Sequence, residues 1–294
     1  MLLTTNIKIK SKNRTKLKIL KRLTRSSKDL YNKALYRVRQ HFFKTKEYLS
    51  YKKAYHILKE ESEYRNLPSN ASQQTLKQVD NSFKSFFQLL KKKNQNSLKN
   101  RVHIPRYLDK EGEYKVVYTK IHLKVLDNGY IRLSLPKNLK KEEKIDYLYF
   151  KIPKHILGKE IKEVHILPYK FDYKISFIYN EFENSNPYKT DDIMAIDLGV
   201  NNLATIITRY NRPIIVDGKS LKSKNRYFNK KISVLQSTIT KGKKDLKNID
   251  KSIFKRLSIW YSRRDNYIKN FLHKSAKRII DIALTRGIKK IVIG

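Results

Sequence analysis

The run Ile193-Met194-Ala195-Ile196-Asp197-Leu198-Gly199-Val200-Asn201-Asn202-Leu203-Ala204-Thr205 constrains this chain most. An apolar stretch enters an aspartate, a glycine follows two residues later, and a β-rich stretch resumes. The pattern predicts a strand that holds Asp197 at the point where the backbone turns. Gly199 lacks a Cβ and would let a phosphate or a metal ion come close. A carboxylate so placed in a chain of net charge +41 is a candidate metal ligand for work on nucleic acid.

The charge comes from 67 Lys and Arg against 26 Asp and Glu in 294 residues. Like charges repel in the compact state, and a polyanion that releases counterions relieves them. The excess is not confined to a tail: Lys219 to Lys290 holds 22 basic and 4 acidic residues. A long folded RNA or a duplex is the partner this implies. The runs Lys120–Lys124 and Lys137–Lys144 read as solvated faces of a sheet or loop. There are no cysteines, which excludes disulfides and a thiolate zinc site within these residues. No signal peptide is visible, and no apolar run approaches the roughly 18 residues of a membrane span. The expectation is a cytoplasmic, nucleoid-associated protein with no membrane partner.

Thr4–Lys10 alternates as a strand does, and helical spacing starts near Arg14. A second helix is expected over Tyr48–Glu61. A third runs from Ala71 to about Leu90, capped by Ser69 or Asn70 after the Leu67-Pro68 break. From Arg101 to Asn180 short alternating runs punctuated by prolines predict a small barrel or curled sheet. Asp127-Asn128-Gly129-Tyr130 is its clearest hairpin turn. After a linker, strands at Ile193–Asp197, Leu203–Thr208 and Ile214–Val216 precede two long basic helices, Leu221–Lys241 and Ile249–Arg286. Gly287 would cap the second helix, and Ile291–Ile293 would return as a parallel strand. Three meandering strands, a helical crossover and a buried-type strand are how an RNase H-like fold begins.

Cleavage of a phosphodiester by two metal ions needs several carboxylates brought together. Asp217 reads as a turn residue with Gly218, Asp281 as the partner of Arg278 or a nearby base, and Asp191 and Asp192 as a solvated edge before the strand. His273, beside Lys274, reads as a nucleic-acid contact or a polar packing residue.

These residues resemble a known family. Ile196-Asp197-Leu198-Gly199-Val200-Asn201-Asn202-Leu203-Ala204 resembles the first RuvC motif of TnpB, the OrfB-type transposon-encoded RNA-guided DNA endonuclease related to type V CRISPR effectors. Gly218-Lys219-Ser220-Leu221, Asn225-Arg226-Tyr227-Phe228, Arg263-Arg264, Ile268-Lys269 and Leu272-His273-Lys274 resemble its following segments. Leu67-Pro68-Ser69, Gln73-Gln74-Thr75-Leu76 and Ser82-Phe83-Lys84-Ser85-Phe86-Phe87 resemble its recognition helices, and Pro105-Arg106-Tyr107 its return to the barrel. The resemblance implies an α+β multi-domain chain. A wedge-type β-barrel would occupy 1–10 and 100–182, a helical recognition insertion 11–99, a linker 183–191, and a partial RuvC (RNase H-like) nuclease domain 192–294. It implies a guide RNA, a double-stranded DNA target and Mg²⁺, with Asp197 as the catalytic, metal-binding residue. Lys219, Asn225, Arg226, Arg263, Arg264, Lys269, His273, Lys274, Lys277 and Arg278 are the candidate nucleic-acid contacts. The family's Glu, last Asp and zinc ribbon have no counterpart in these residues, so the expectation is a C-terminally truncated member that binds RNA without cutting.

Two other readings remain at this stage. A nuclease-dead, RNA-guided DNA-binding repressor would carry the same residues. A general RNA-binding protein would use the 20 Tyr and 12 Phe as stacking platforms. A sugar kinase or chaperone-type ATPase shares an Asp-x-Gly strand but wants Ser or Thr soon after the glycine, where Val200 and Asn201 stand.

Overall fold

The computed structural model describes residues 1–9, 13–95, 101–169, 172–181, 190–241 and 251–294. The expected linker at 183–191 falls mostly outside them. The chain divides into two units, residues 1–183 and 184–294.

In the first unit, strand β1 (Leu2–Ile9) is followed by helices α1 (Arg14–Thr45), α2 (Tyr51–Leu58), α3 (Ser62–Arg65) and α4 (Ser69–Asn94). Strands β2 (Val116–Thr119), β3 (Leu123–Val125) and β4 (Tyr130–Ser134) come next, then the short helix α5 (Lys137–Glu143). Strands β5 (Tyr147–Lys151), β6 (Ile161–Tyr169) and β7 (Asp172–Asn180) complete the unit. The N-terminal strand pairs antiparallel with β7, Leu2 opposite Asn180, so the helices interrupt a sheet ordered β1-β7-β6-β2. Strands β3, β4 and β5 form a separate three-stranded sheet. Among the described residues the expected barrel is therefore not closed. A 3-10 turn at Lys120–His122 separates β2 from β3 and parts the two ladders.

Asn13 starts α1 by accepting the Lys16 N–H at 3.0 Å, as an N-cap should. Leu20, Leu23, Leu30, Ala34, Leu35 and Val38 then bury one face, packed with Leu76, Val79 and Phe83 of α4. Thr24, Ser27 and Lys28 are buried as well. Each serves the irregular stretch that crosses α1: Ser27 donates to the Lys115 carbonyl at 2.7 Å and Lys28 to the Lys110 carbonyl at 2.6 Å. Asn32 bonds both polar groups of the Leu108 backbone, at 2.8 and 3.0 Å. Buried polar side chains are tolerated here because each has a partner.

Two local expectations change. Neither Ser69 nor Asn70 caps α4; Pro68 occupies that position. Asn70 instead accepts from the Thr119 hydroxyl at 2.6 Å and ties α4 to β2. The run Lys137–Lys144 is largely solvated, but over Lys137–Glu143 it is a helix and not a sheet face or loop, with Leu139 buried against the core. The hairpin at Asn128-Gly129 forms as read, with Gly129 at φ +77.

The second unit holds β8 (Thr190–Leu198), β9 (Asn202–Thr208), β10 (Asn211–Asp217), α6 (Lys219–Lys241), α7 (Lys251–Thr285) and β11 (Ile288–Ile293). The sheet order is β10-β9-β8-β11. The first three strands meander antiparallel, and β11 pairs parallel with β8, Ile293 opposite Ile196. Parallel pairing needs a long crossover, which α6 and α7 provide. Gly287, at φ +67, turns the chain from α7 into β11. Asp191 and Asp192 lie within β8 rather than ahead of it.

Candidate nucleic-acid interface

Alternation along β8 decides where Asp197 points. Met194 and Ile196 are buried, packed with Ala204, Ile206, Val216, Ile288 and Ala283 of α7. Ile193, Ala195 and Asp197 take the opposite face and are exposed. The carboxylate therefore stands on the exposed side of the sheet, one residue before the end of its strand. It pairs in register with Thr205 of β9, and the Ile196 carbonyl beside it accepts the Gly294 N–H at 3.0 Å.

The turn after Asp197 is held from below. Gly218 donates its N–H to the Asn201 carbonyl at 2.7 Å, and Lys222, one turn into α6, donates to the Asn201 side chain at 3.0 Å. A Cβ on Gly199 would lie 2.7 Å from the Asn202 carbonyl oxygen. The turn itself therefore demands the glycine. A Cβ on Gly218 would lie 2.6 Å from the Val200 carbonyl oxygen.

Three other acids of the unit are engaged elsewhere. Asp217 accepts the Lys219 N–H at 3.0 Å and caps α6. Asp281 pairs with Lys277 at 2.9 Å, the nearby base that the sequence allowed beside Arg278. Asp192 accepts the N–H of Ile193 at 2.9 Å. Among the described residues no three His, Cys, Asp or Glu side chains gather as a metal site would require. The donor set does not fit a two-metal centre, which needs several carboxylates where this strand end offers one.

The candidate nucleic-acid contacts all lie on α6 and α7. Lys219, Arg226, Arg263, Lys269, His273, Lys274, Lys277 and Arg278 are exposed, and Asn225 and Arg264 are half-buried. Lys274, Lys277 and Arg278 line one shallow groove on α7 together with Arg286. Arg264 has a different duty: it donates to Asn229 at 3.0 Å and joins the two helices. Sequence reasoning passed over Lys222, which braces the turn after Asp197. It also passed over Arg286, which donates to the Thr208 hydroxyl at 2.9 Å. No short-range pattern marks either, because each partner lies on another element.

Residues 176–294 match the model of the family OrfB_IS605, described as probable transposase. The resemblance carried by the Asp197 motif is to this family. The OrfB match begins within β7 and covers the second unit. A comparison with curated proteins finds no match. Among solved structures, the fold is similar to that in the cryo-EM structure of a Cas12f1–sgRNA–target DNA complex, with TM-score 0.61 and 12% identity over 96% of this chain. A Cas12f ternary complex aligns at TM-score 0.38 and 11% identity over 94% of this chain. The chain spans 65% and 62% of the lengths of those two proteins. Among the described residues no helix is long and apolar enough to cross a membrane.

Proposed function

We propose that this chain is an RNA-guided, DNA-binding protein of the OrfB (TnpB) type. The observation that carries the reading is the OrfB match over 176–294, which contains the exposed Asp197 strand end and the two basic helices. In this reading, 192–294 is a RuvC-type, RNase H-like domain. The strands of residues 1–10 and 100–182 are a wedge-type β domain, and 11–99 is a helical recognition insertion. The net charge of +41 is matched by a guide RNA and a DNA duplex.

Asp197 is the one group proposed for Mg²⁺, whose hard charge suits a carboxylate. When bound in a complete centre such an ion supplies an activated water and stabilises the leaving oxygen. Among the described residues Asp197 is the carboxylate offered to it, and the two basic helices support the nucleic-acid binding.

Sequencing of the RNA that co-purifies with the protein tests the proposal. One abundant RNA that maps beside the protein's own gene supports it, and a random sample of cellular RNA refutes it. Mg²⁺-dependent DNA cutting that Asp197→Ala abolishes would support the role of Asp197 as a metal ligand; cutting unchanged in Asp197→Ala would refute it.

A further inference from the structure

The α6–α7 pair is held by a buried seam of Phe228, Ile232 and Leu235. Beside that seam lies an aromatic cluster: Trp260, half-buried, packs on Phe228 at 6.2 Å between ring centroids, and Tyr227 lies further out. Tyr227 is 47% exposed, yet its ring meets Trp260 edge-on at 6.1 Å between centroids. Cations surround both rings. The ammonium groups of Lys224 and Lys231 lie 5.9 and 5.8 Å from the Tyr227 ring centre, and the Arg263 guanidinium lies 5.2 Å from that of Trp260. All fall within the reach of a cation–π contact.

Lys224, Tyr227 and Lys231 share a stripe of α6 at i, i+3 and i+7, so the two ammonium groups spring from points about 10 Å apart along the helix. From Lys219 to Lys241 the helix carries seven Lys or Arg and neither Asp nor Glu. The surface thus offers flat apolar rings between positive charges. Lysines alone would serve a duplex, whose bases are stacked inside. Exposed rings gain contact only with unpaired bases, which present their faces.

We propose that Tyr227 and Trp260, flanked by Lys224, Lys231 and Arg263, form a platform on which unpaired bases of a single-stranded nucleic acid stack. The inference rests on the nucleic-acid reading given above and adds the strandedness of the ligand and the residues that meet it. The ring of Tyr227 takes a base face, Trp260 supports it from the second helix, and the cations neutralise the flanking phosphates.

Trp260 is the protein's single tryptophan, so its fluorescence reports on this surface without labelling. The test titrates the full chain with oligodeoxythymidine and with oligouridine of about 12 nucleotides, within the span that one stacking domain covers. A duplex of equal length is the third arm. We expect either single strand to quench Trp260. Tyr227→Leu, which keeps apolar bulk but loses the ring, should weaken single-strand binding by roughly 5- to 150-fold. Tyr227→Phe should bind as the unsubstituted protein does, and duplex affinity should be the same in all three. Single-strand affinity unchanged in Tyr227→Leu, or Trp260 quenched equally by the duplex, overturns the platform and leaves nucleic-acid binding standing. No binding of any of the three ligands overturns both.

Discussion

The turn after Asp197 makes a quantitative prediction through Gly218. The residue has no forced positive φ, so alanine is excluded there by space alone. Its Cβ would sit 2.6 Å from the Val200 carbonyl oxygen, 3.2 Å from that of Asn201 and 3.3 Å from the Leu203 nitrogen. All three are backbone atoms and cannot rotate away as a side-chain tip would. Relief requires that the 199–202 turn lift from α6, which strains the bond from Gly218 N–H to the Asn201 carbonyl. Overpacking of this kind costs about 1–3 kcal/mol, and the hydrogen bond adds about 0.5–1.5 kcal/mol. Gly218→Ala should therefore destabilise the second unit by roughly 2–4 kcal/mol, which at a urea slope of about 2 kcal/mol/M lowers the midpoint by about 1–2 M. Trp260 lies in that unit, so urea unfolding followed by its fluorescence is the assay. Gly294→Ala is the matched control, because nothing lies within 4 Å of its Cβ position. A Gly218→Ala midpoint equal to that of Gly294→Ala would refute the claim that the turn is clamped.

Other substitutions probe separate links. Burial alone would raise the Asp80 carboxyl, but bonds from Lys84, the Tyr48 hydroxyl and the Tyr51 N–H outweigh it and hold the group below the usual carboxylate range. Asp80→Ala should cost about 1.5–3 kcal/mol at neutral pH. Because the folded value is depressed, that contribution is complete above the unfolded value near pH 4 and fades as pH falls through the folded one. A denaturation series that shows the same deficit at pH 2 as at pH 7 would contradict it. Phe83→Ala, at a side chain with 0% exposure, should lose about 3–5 kcal/mol in urea unfolding followed by far-UV circular dichroism, since Trp260 lies in the other unit. Replacing Arg278 by Gln should lower duplex affinity across sequences and reduce the slope of log affinity against log salt by about 1; an unchanged slope removes it from the phosphate-facing set. Asp197→Ala should leave RNA affinity and urea stability unchanged, since the side chain is exposed and caps nothing; a clear loss of either would assign it a structural role.

The elements that were legible in the sequence are those whose cause is local. The β8 strand announces itself through Met194 and Ile196, and its turn through Gly199. The Asn128-Gly129 hairpin and the Gly287 turn follow from residues that accept positive φ. What escaped depends on partners far along the chain. Helix α5 reads as a charged loop because its seven residues hold one buried apolar side chain, Leu139. It is fixed by α1, where Lys18 meets Glu143 at 2.8 Å and Arg22 meets Glu142. Asn70 has the chemistry of a cap and is drawn instead to Thr119 on another element.

The same division runs through the functional surface. One carboxylate on a strand end was legible, because strand alternation and a glycine place it. Where the other acids are spent is less legible: Asp217, Asp281 and Asp192 are each engaged locally by an N–H or a lysine. Charge follows a third pattern. Basic residues are plain in the sequence, but those that brace the protein, such as Arg264 on Asn229, look the same there as those that face solvent, such as Lys274. The aromatic rings sort them. Lys224 and Lys231 lie over the exposed Tyr227 ring and are themselves exposed, where an unpaired strand could reach them. If the platform binds as argued, the Lys224–Tyr227–Lys231 stripe is where α6 serves the ligand, while Phe228, one residue on, serves the fold.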